Sequence, residues 1–190
     1  MNRTKKLVYI AIFAAIATIL MRLETPVLFL PPFLKLDLSG LPAVLAGFMF
    51  GPLAGVSTIL VKDLINLFFT TSAGVGELAD FLVLSSFVLC SSLIYKHKKT
   101  RATALIGCAF GIAAMTIVGS LANKFLLIPF YQKLMPLEAI IEACQKVNPS
   151  ITSIDTYIIF GVLPFNILKG VILSLITILI YKKLSNFIRG

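Results

Sequence analysis

The most constraining feature of this 190-residue chain is its succession of six apolar runs, separated by short breaks of proline, glycine or charge. A helix that crosses a bilayer needs ~20 mostly apolar residues, with a range of ~17–25. The runs predict spans at residues 5–23, 39–50, 53–69, 77–95, 102–128 and 156–181, the second of them short. Pro26, Pro31 and Pro32 forbid a continuous helix over 24–37, which reads as a loop or re-entrant segment. Gly51 and Pro52 make a tight turn, residues 70–76 a small-residue loop and residues 96–101 a charged turn. Residues 130–154 form the one extended polar loop, with an amphipathic helix expected around 137–144, where Glu138 and Glu142 share a face.

Composition supports a membrane chain. Hydrophobic residues make up 58% and charged residues 13%, against ~45–50% and ~25% in soluble globular proteins. A soluble domain of this size leaves too much surface exposed to hide that much apolar area. The expectation is an all-α membrane protein with six transmembrane helices, forming a single integral-membrane domain over 1–190. A basic start followed by an apolar run at 7–21 also suits a secretory leader. No small-residue cleavage site ends it and five more apolar runs follow, so it reads as a retained first helix.

The net charge of +9 does not point to nucleic acid, because the basic residues fall in three clusters between apolar runs. These are Arg3, Lys5 and Lys6; Lys96, Lys98, Lys99 and Arg101; and Lys182, Lys183 and Arg189. Six spans put all three on one side, and the positive-inside rule makes that side cytoplasmic, with both termini. His97 lies within the middle cluster and reads as solvated. Cys90 and Cys108 sit in apolar runs as small hydrophobes. Cys144, expected in a loop, is the cysteine to watch for reactivity.

The polar residues have a depth pattern. Asp37 precedes the second span; Glu77 and Asp80 open the fourth, one turn apart; Asn123 and Lys124 lie near the outer end of the fifth. Asn166 and Lys169 sit one turn apart within the sixth, and Lys62, Asp63 and Asn66 in the outer half of the third. Residues 7–19, 81–93, 104–115 and 171–180 carry no charge. A channel needs polar lining along its length, whereas this pattern describes a cup, open outside and sealed below. Charge in a bilayer is costly and seldom idle. The candidate substrate-binding residues are therefore Asp37 and the adjacent Leu38, Glu77, Asp80, Asn123, Asn166 and Lys169. Structural alternatives stand beside these: Lys62 and Asp63 pairing with other helices, Glu77 as a helix N-terminal carboxylate, Lys124 snorkelling to the interface. Phe29, Leu30, Phe33 and Leu34 of the Pro-rich loop are placed to form a lid. Ala11 and Ala15 form a small-residue pair that lets another helix approach, within the bundle or from a partner protein. No phosphate-binding loop, metal motif or nucleophile elbow is present, so no catalytic or metal-ligating residue is assigned.

The stretches LKLDLSGLPA at 34–43, GFMFGPLAG at 47–55 and GVGELAD at 74–80 resemble the riboflavin-specific S component of energy-coupling factor (ECF) transporters. Asn123 and the Asn166/Lys169 pair resemble ligand-contacting positions of that family, and the similarity runs over essentially the whole chain. The resemblance implies a subunit of the bacterial cell membrane that binds riboflavin from outside, as transported ligand rather than cofactor, with FMN open as a further ligand. It implies partners: a transmembrane coupling subunit, docked on the Ala11/Ala15 face, and two cytoplasmic ATPase subunits that hydrolyse ATP. The isoalloxazine ring would lie in an apolar slot closed by the first loop. Asn123 and Asn166 would meet the uracil-like edge or the ribityl hydroxyls, and Lys169 a ring carbonyl or hydroxyl. Asp37, Glu77 and Asp80 would accept from ribityl hydroxyls or hold loops. An S component for thiamine, biotin or a folate is the nearest alternative; a membrane enzyme, a channel or an assembly subunit is the more distant one.

Overall fold

The computed structural model describes residues 3–189, with side chains through residue 180. Nine α-helical segments dominate the described residues. Helix α1 (Arg3–Arg22) leads through a Pro-rich loop to α2 (Gly40–Phe50) and α3 (Pro52–Asn66), which ends in a 3-10 turn at Leu67–Phe69. Helices α4 (Val75–His97) and α5 (Arg101–Ala122) follow, and α5 continues through a π-helical turn at Asn123–Leu127 into α6 (Ile128–Tyr131). After α7 (Leu137–Gln145), α8 (Ile154–Tyr157) runs through a second π-helical turn at Ile158–Val162 into α9 (Leu163–Arg189). Five described helical stretches are long and apolar enough to cross a membrane: Arg3–Arg22, Pro52–Phe69, Val75–His97, Arg101–Tyr131 and Ile154–Ile180.

The expected second span is the exception. Helix α2 has 11 residues, about 17 Å at ~1.5 Å per residue, against a hydrocarbon core of ~30 Å. Its surroundings explain how so short a helix is tolerated. Nearly every residue from Gly40 to Phe48 is buried against other helices, so its ends meet protein rather than lipid, and backbone groups can be satisfied there. By contrast α1 buries only Ile10, Ala14 and Ala17 and exposes Leu7, Val8, Ile12, Ile16 and Ile19.

The connections are built from local signals. Thr100 caps α5 through reciprocal bonds with Thr103. Gly74, at φ +86°, supplies the left-handed turn that starts α4. Within the bundle Gly107 and Gly111 lie so close to Ser91 and Phe87 that an added Cβ would clash, which lets α4 and α5 pack tightly.

Two cores result. The lower one joins Ala43, Phe48, Ile59, Leu84, Phe87, Tyr95, Met115 and Leu173, with Phe48 stacked on Tyr95 at 4.4 Å between centroids. Tyr9 stacks on Phe50 at 5.2 Å, so these contacts bring the first basic cluster and Lys96–Arg101 to one end of the bundle. The side chains of the third cluster, Lys182, Lys183 and Arg189, lie outside the described residues. The upper core joins Leu30, Leu34, Ile128, Ile140, Cys144, Ile151, Tyr157, Val162 and Phe165. It tucks the Pro-rich loop and α7 onto the ends of α6 and α9. The loop is pinned by a two-residue antiparallel pairing, Thr25 with Leu36 and Pro26 with Lys35, and by the Glu24–Lys35 ion pair.

Two expectations need correction here. Phe29 points away from the bundle and is exposed, while Leu30 and Leu34 are buried; only part of the expected lid faces inward. Cys144 is fully buried in α7. Burial pushes its thiol up to about 11, so at neutral pH it stays protonated and unreactive.

Candidate functional site

Between the two cores lies a cavity of about 270 Å³. Its lower wall includes Met115, which also belongs to the lower core; below that level the packing is apolar. Phe33 and Leu34 of the loop, with Ile128, Tyr131, Ile140 and Phe165, supply the apolar upper walls. Asp37, Glu77, Asp80, Asn123, Asn166 and Lys169 all line it. Leu38 does not: it packs against the lower core, because its neighbour Asp37 takes the inward direction.

The floor is an ionic chain drawn from four segments. Asp37 Oδ1 accepts the Ser39 N–H at 2.7 Å, a tight turn just before α2. Its other oxygen meets Lys169 Nζ at 2.7 Å. Lys169 lies 3.6 Å from Asp80 Oδ1, and the second oxygen of Asp80 takes the ammonium of Lys62. Lys62 Nζ is also 2.7 Å from Asp63 Oδ1, though off the hydrogen-bonding directions of that carboxylate, so this contact is a charge pair only. Lys62 is completely buried. Asp37 and Lys169 are both buried, and each supplies the other's counter-charge. Truncating one partner of such a buried pair strands the other, at ~3–5 kcal/mol.

The rim is neutral and hydrogen-bonding. Asn123 donates from Nδ2 to the Gly119 carbonyl at 2.9 Å, and its Oδ1 accepts the Tyr157 hydroxyl at 3.2 Å. Asn166 donates from Nδ2 to the Val162 carbonyl at 2.9 Å. A carboxamide carries two N–H donors and an oxygen with two lone pairs, so neither asparagine is saturated by these bonds. Asn123 opens the first π-helical turn and Asn166 lies four residues past the end of the second, a distortion frequent at functional sites. Glu77 accepts the hydroxyls of Thr70 at 2.8 Å and Ser72 at 3.2 Å, which fastens the loop before α4 to the first turn of that helix.

Residues outside the cavity resolve the alternatives. Lys124 pairs with Asp155 at 2.8 Å in an exposed position, not at the cavity. Lys62 and Asp63, noted in the sequence for their depth, belong to the ionic floor one step behind Asp80. Tyr157, which lines the cavity and holds Asn123, and Ser39, which holds Asp37, carry no signal in the sequence beyond being polar near a span end. Ala11 and Ala15 are exposed on α1, flanking the face that packs inward through Ala14 and Ala17.

The family model described as "ECF transporter, substrate-specific component" matches residues 5–181. The chain belongs to this family. Among its relatives, Riboflavin transporter RibU of Staphylococcus aureus (strain TCH60) is 38% identical over 189 residues, covering 100% of this chain and 95% of the relative. Riboflavin transporter FmnP of Bacillus subtilis (strain 168) is 32% identical, covering 98% and 95%. A solved structure, described as that of the S component of a bacterial ECF transporter, superposes with a TM-score of 0.78 at 35% identity, with 100% of both chains covered. As an ECF substrate-specific component, the chain is a transport subunit with several membrane-capable helices, and its cavity is where a transported solute would be sought.

Proposed function

We propose that this chain is the riboflavin-binding subunit of an ECF-type uptake transporter in the bacterial cell membrane. One observation carries the reading: Asn123, Asn166 and Lys169, scattered over two spans, converge on one cavity closed from below by an apolar core. The full-length similarity to two proteins named riboflavin transporters supports it. The cavity lies near the small end of ligand pockets, ~300–1,000 Å³, and has the usual mix of apolar walls and few placed polar groups. The aromatic and aliphatic walls suit a flat ring system, and the asparagines and Lys169 suit its polar edge and chain. Asp37, Asp80 and Glu77 are already engaged with lysines or hydroxyls, so their first role is to hold the site.

The chain crosses the membrane six times as one domain, with α2 and the loop before it forming the short second crossing. The basic end is cytoplasmic, together with both termini, and the cavity opens outward. A transmembrane coupling subunit docks on the exposed Ala11/Ala15 face of α1, and two cytoplasmic ATPases supply the energy. The sealed lower half suits a carrier that reorients with partners rather than a pore.

Titration of the detergent-purified chain with riboflavin, read by quenching of flavin fluorescence, tests the reading. Saturable quenching that thiamine, biotin and folate do not compete is the expected result. The lysines at and behind the cavity are already paired with carboxylates, Lys35 with Glu24, Lys169 with Asp37 and Lys62 with Asp80, which leaves Glu77 as the lining carboxylate without a lysine. A phosphate dianion meets net repulsion there, so FMN should bind at least about tenfold more weakly than riboflavin. Equal affinity for the two would remove the charge argument.

A further inference from the structure

Gly119 is an interior residue of α5 and does not line the cavity. Glycine in a helix interior is disfavoured relative to alanine, so its presence calls for a local cause. The structure supplies two. A Cβ at Gly119 would lie 2.6 Å from Nδ2, 2.8 Å from Cγ and 2.8 Å from Oδ1 of Asn166. These distances are shorter than carbon tolerates, so the whole carboxamide of Asn166 rests on the bare backbone of α5. The carbonyl of Gly119 meanwhile accepts Nδ2 of Asn123 at 2.9 Å. One residue thus sits between the two asparagines of the rim.

Asn166 has little freedom to retreat. It is buried, with 3% of its surface exposed, and its Nδ2 is bound to the Val162 carbonyl. A methyl group at position 119 must rotate the carboxamide away from that bond. The neighbouring Asn123 is fixed from the other side by the Tyr157 hydroxyl, so displacing one amide alters the spacing between the pair.

We propose that Gly119 is a positioning residue of the binding site: its missing side chain lets Asn166 lie against α5 at a set distance from Asn123. The inference rests on the riboflavin reading above for its effect on binding, though not for its effect on the asparagines.

Two measurements on the full chain test it. In detergent-solubilised protein labelled with ¹⁵N-asparagine, the six asparagines give few side-chain amide signals, assignable by single substitutions. Gly119→Ala should move those of Asn166 and Asn123 without any ligand. Riboflavin titrations then form a double-mutant cycle. Gly119→Ala should weaken binding about tenfold in the wild-type background, the effect of one misplaced hydrogen-bonding group. In the Asn166→Ala background, where the clashing atoms are gone, it should change affinity by less than about twofold. If Gly119→Ala alone fails to fold, Gly119→Ala/Asn166→Ala should fold, and that rescue supports the close approach. Equal losses in both backgrounds, unmoved Asn166 amide signals, an Asn166→Ala variant of undiminished affinity, or failure of the double variant to fold would each overturn the proposal. A wild-type chain that binds no riboflavin sinks the functional reading instead, and the amide signals still decide the positioning.

Discussion

The upper and lower halves of this bundle use the same helices for opposite ends. Above Met115, α4, α5 with its π-helical turn, and α9 turn carboxylates, asparagines and Lys169 toward a cavity; below it they turn Phe87, Tyr95 and Leu173, together with Phe48 of α2 and Ile59 of α3, into an apolar core. Asp37, Lys62, Asp80 and Lys169 are paired across segments, because an unmatched charge is costly in a bilayer, while buried Asp63 has only its helix neighbour Lys62. The lower half has no such obligation and is held by close packing, with glycines at the α4–α5 contact. The difference separates two tasks. On the proposed function, ligand recognition resides in one half, while the other provides a seal and, along α1, an exposed apolar face for a partner.

Substitutions can break that division. The largest effect should come from Ala11→Trp/Ala15→Trp on the exposed face of α1. Uptake by vesicles holding the complete transporter should be abolished, while riboflavin affinity of the isolated chain stays within about twofold. A comparable loss of affinity would mean that α1 belongs to the binding half. Next, Lys169→Ala strands Asp37 and leaves Asp80 with Lys62 alone. Riboflavin affinity should fall about a hundredfold with the lost charged hydrogen bond, and stability by ~3–5 kcal/mol through the broken buried pair. Lys169→Met/Asp37→Asn should regain thermal stability but not binding; recovery of binding would show that Lys169 serves structure alone.

Leu84→Ala, in the lower core, should lose about 2–3 kcal/mol of stability from the cavity it leaves, with little change in affinity among variants that remain folded. A large change in affinity would show that the seal and the site are one unit. Tyr157→Phe removes the hydroxyl that holds Asn123 and should weaken riboflavin about threefold. No change would place Asn123 outside the recognition set.

Much of this was legible in the sequence, for identifiable reasons. A charge within an apolar run is conspicuous, so Lys62, Asp63, Asn166 and Lys169 could be singled out by depth alone. Their partners could not: Asp37 and Lys169 are 132 residues apart, and only the folded chain shows that each neutralises the other. Leu38 adjoins Asp37, but successive side chains point in different directions, and Leu38 packs on the lower core. The hydropathy of α2 suggested a span, yet hydropathy does not distinguish lipid contact from enclosure by other helices. Cys144 lies in a polar loop segment and is nonetheless buried, because α7 folds its apolar face onto the upper core. Tyr157 acts through one hydrogen bond and Gly119 through its contacts with two asparagines, and neither leaves a periodic or compositional trace.

The measurement that tests the account most directly is the riboflavin titration of the purified chain, followed by quenching of flavin fluorescence. Saturable, submicromolar quenching that is lost in Lys169→Ala and unaffected by thiamine or biotin is the predicted result. A folded, flavin-free sample that leaves riboflavin fluorescence unchanged would contradict the assignment of this cavity to riboflavin.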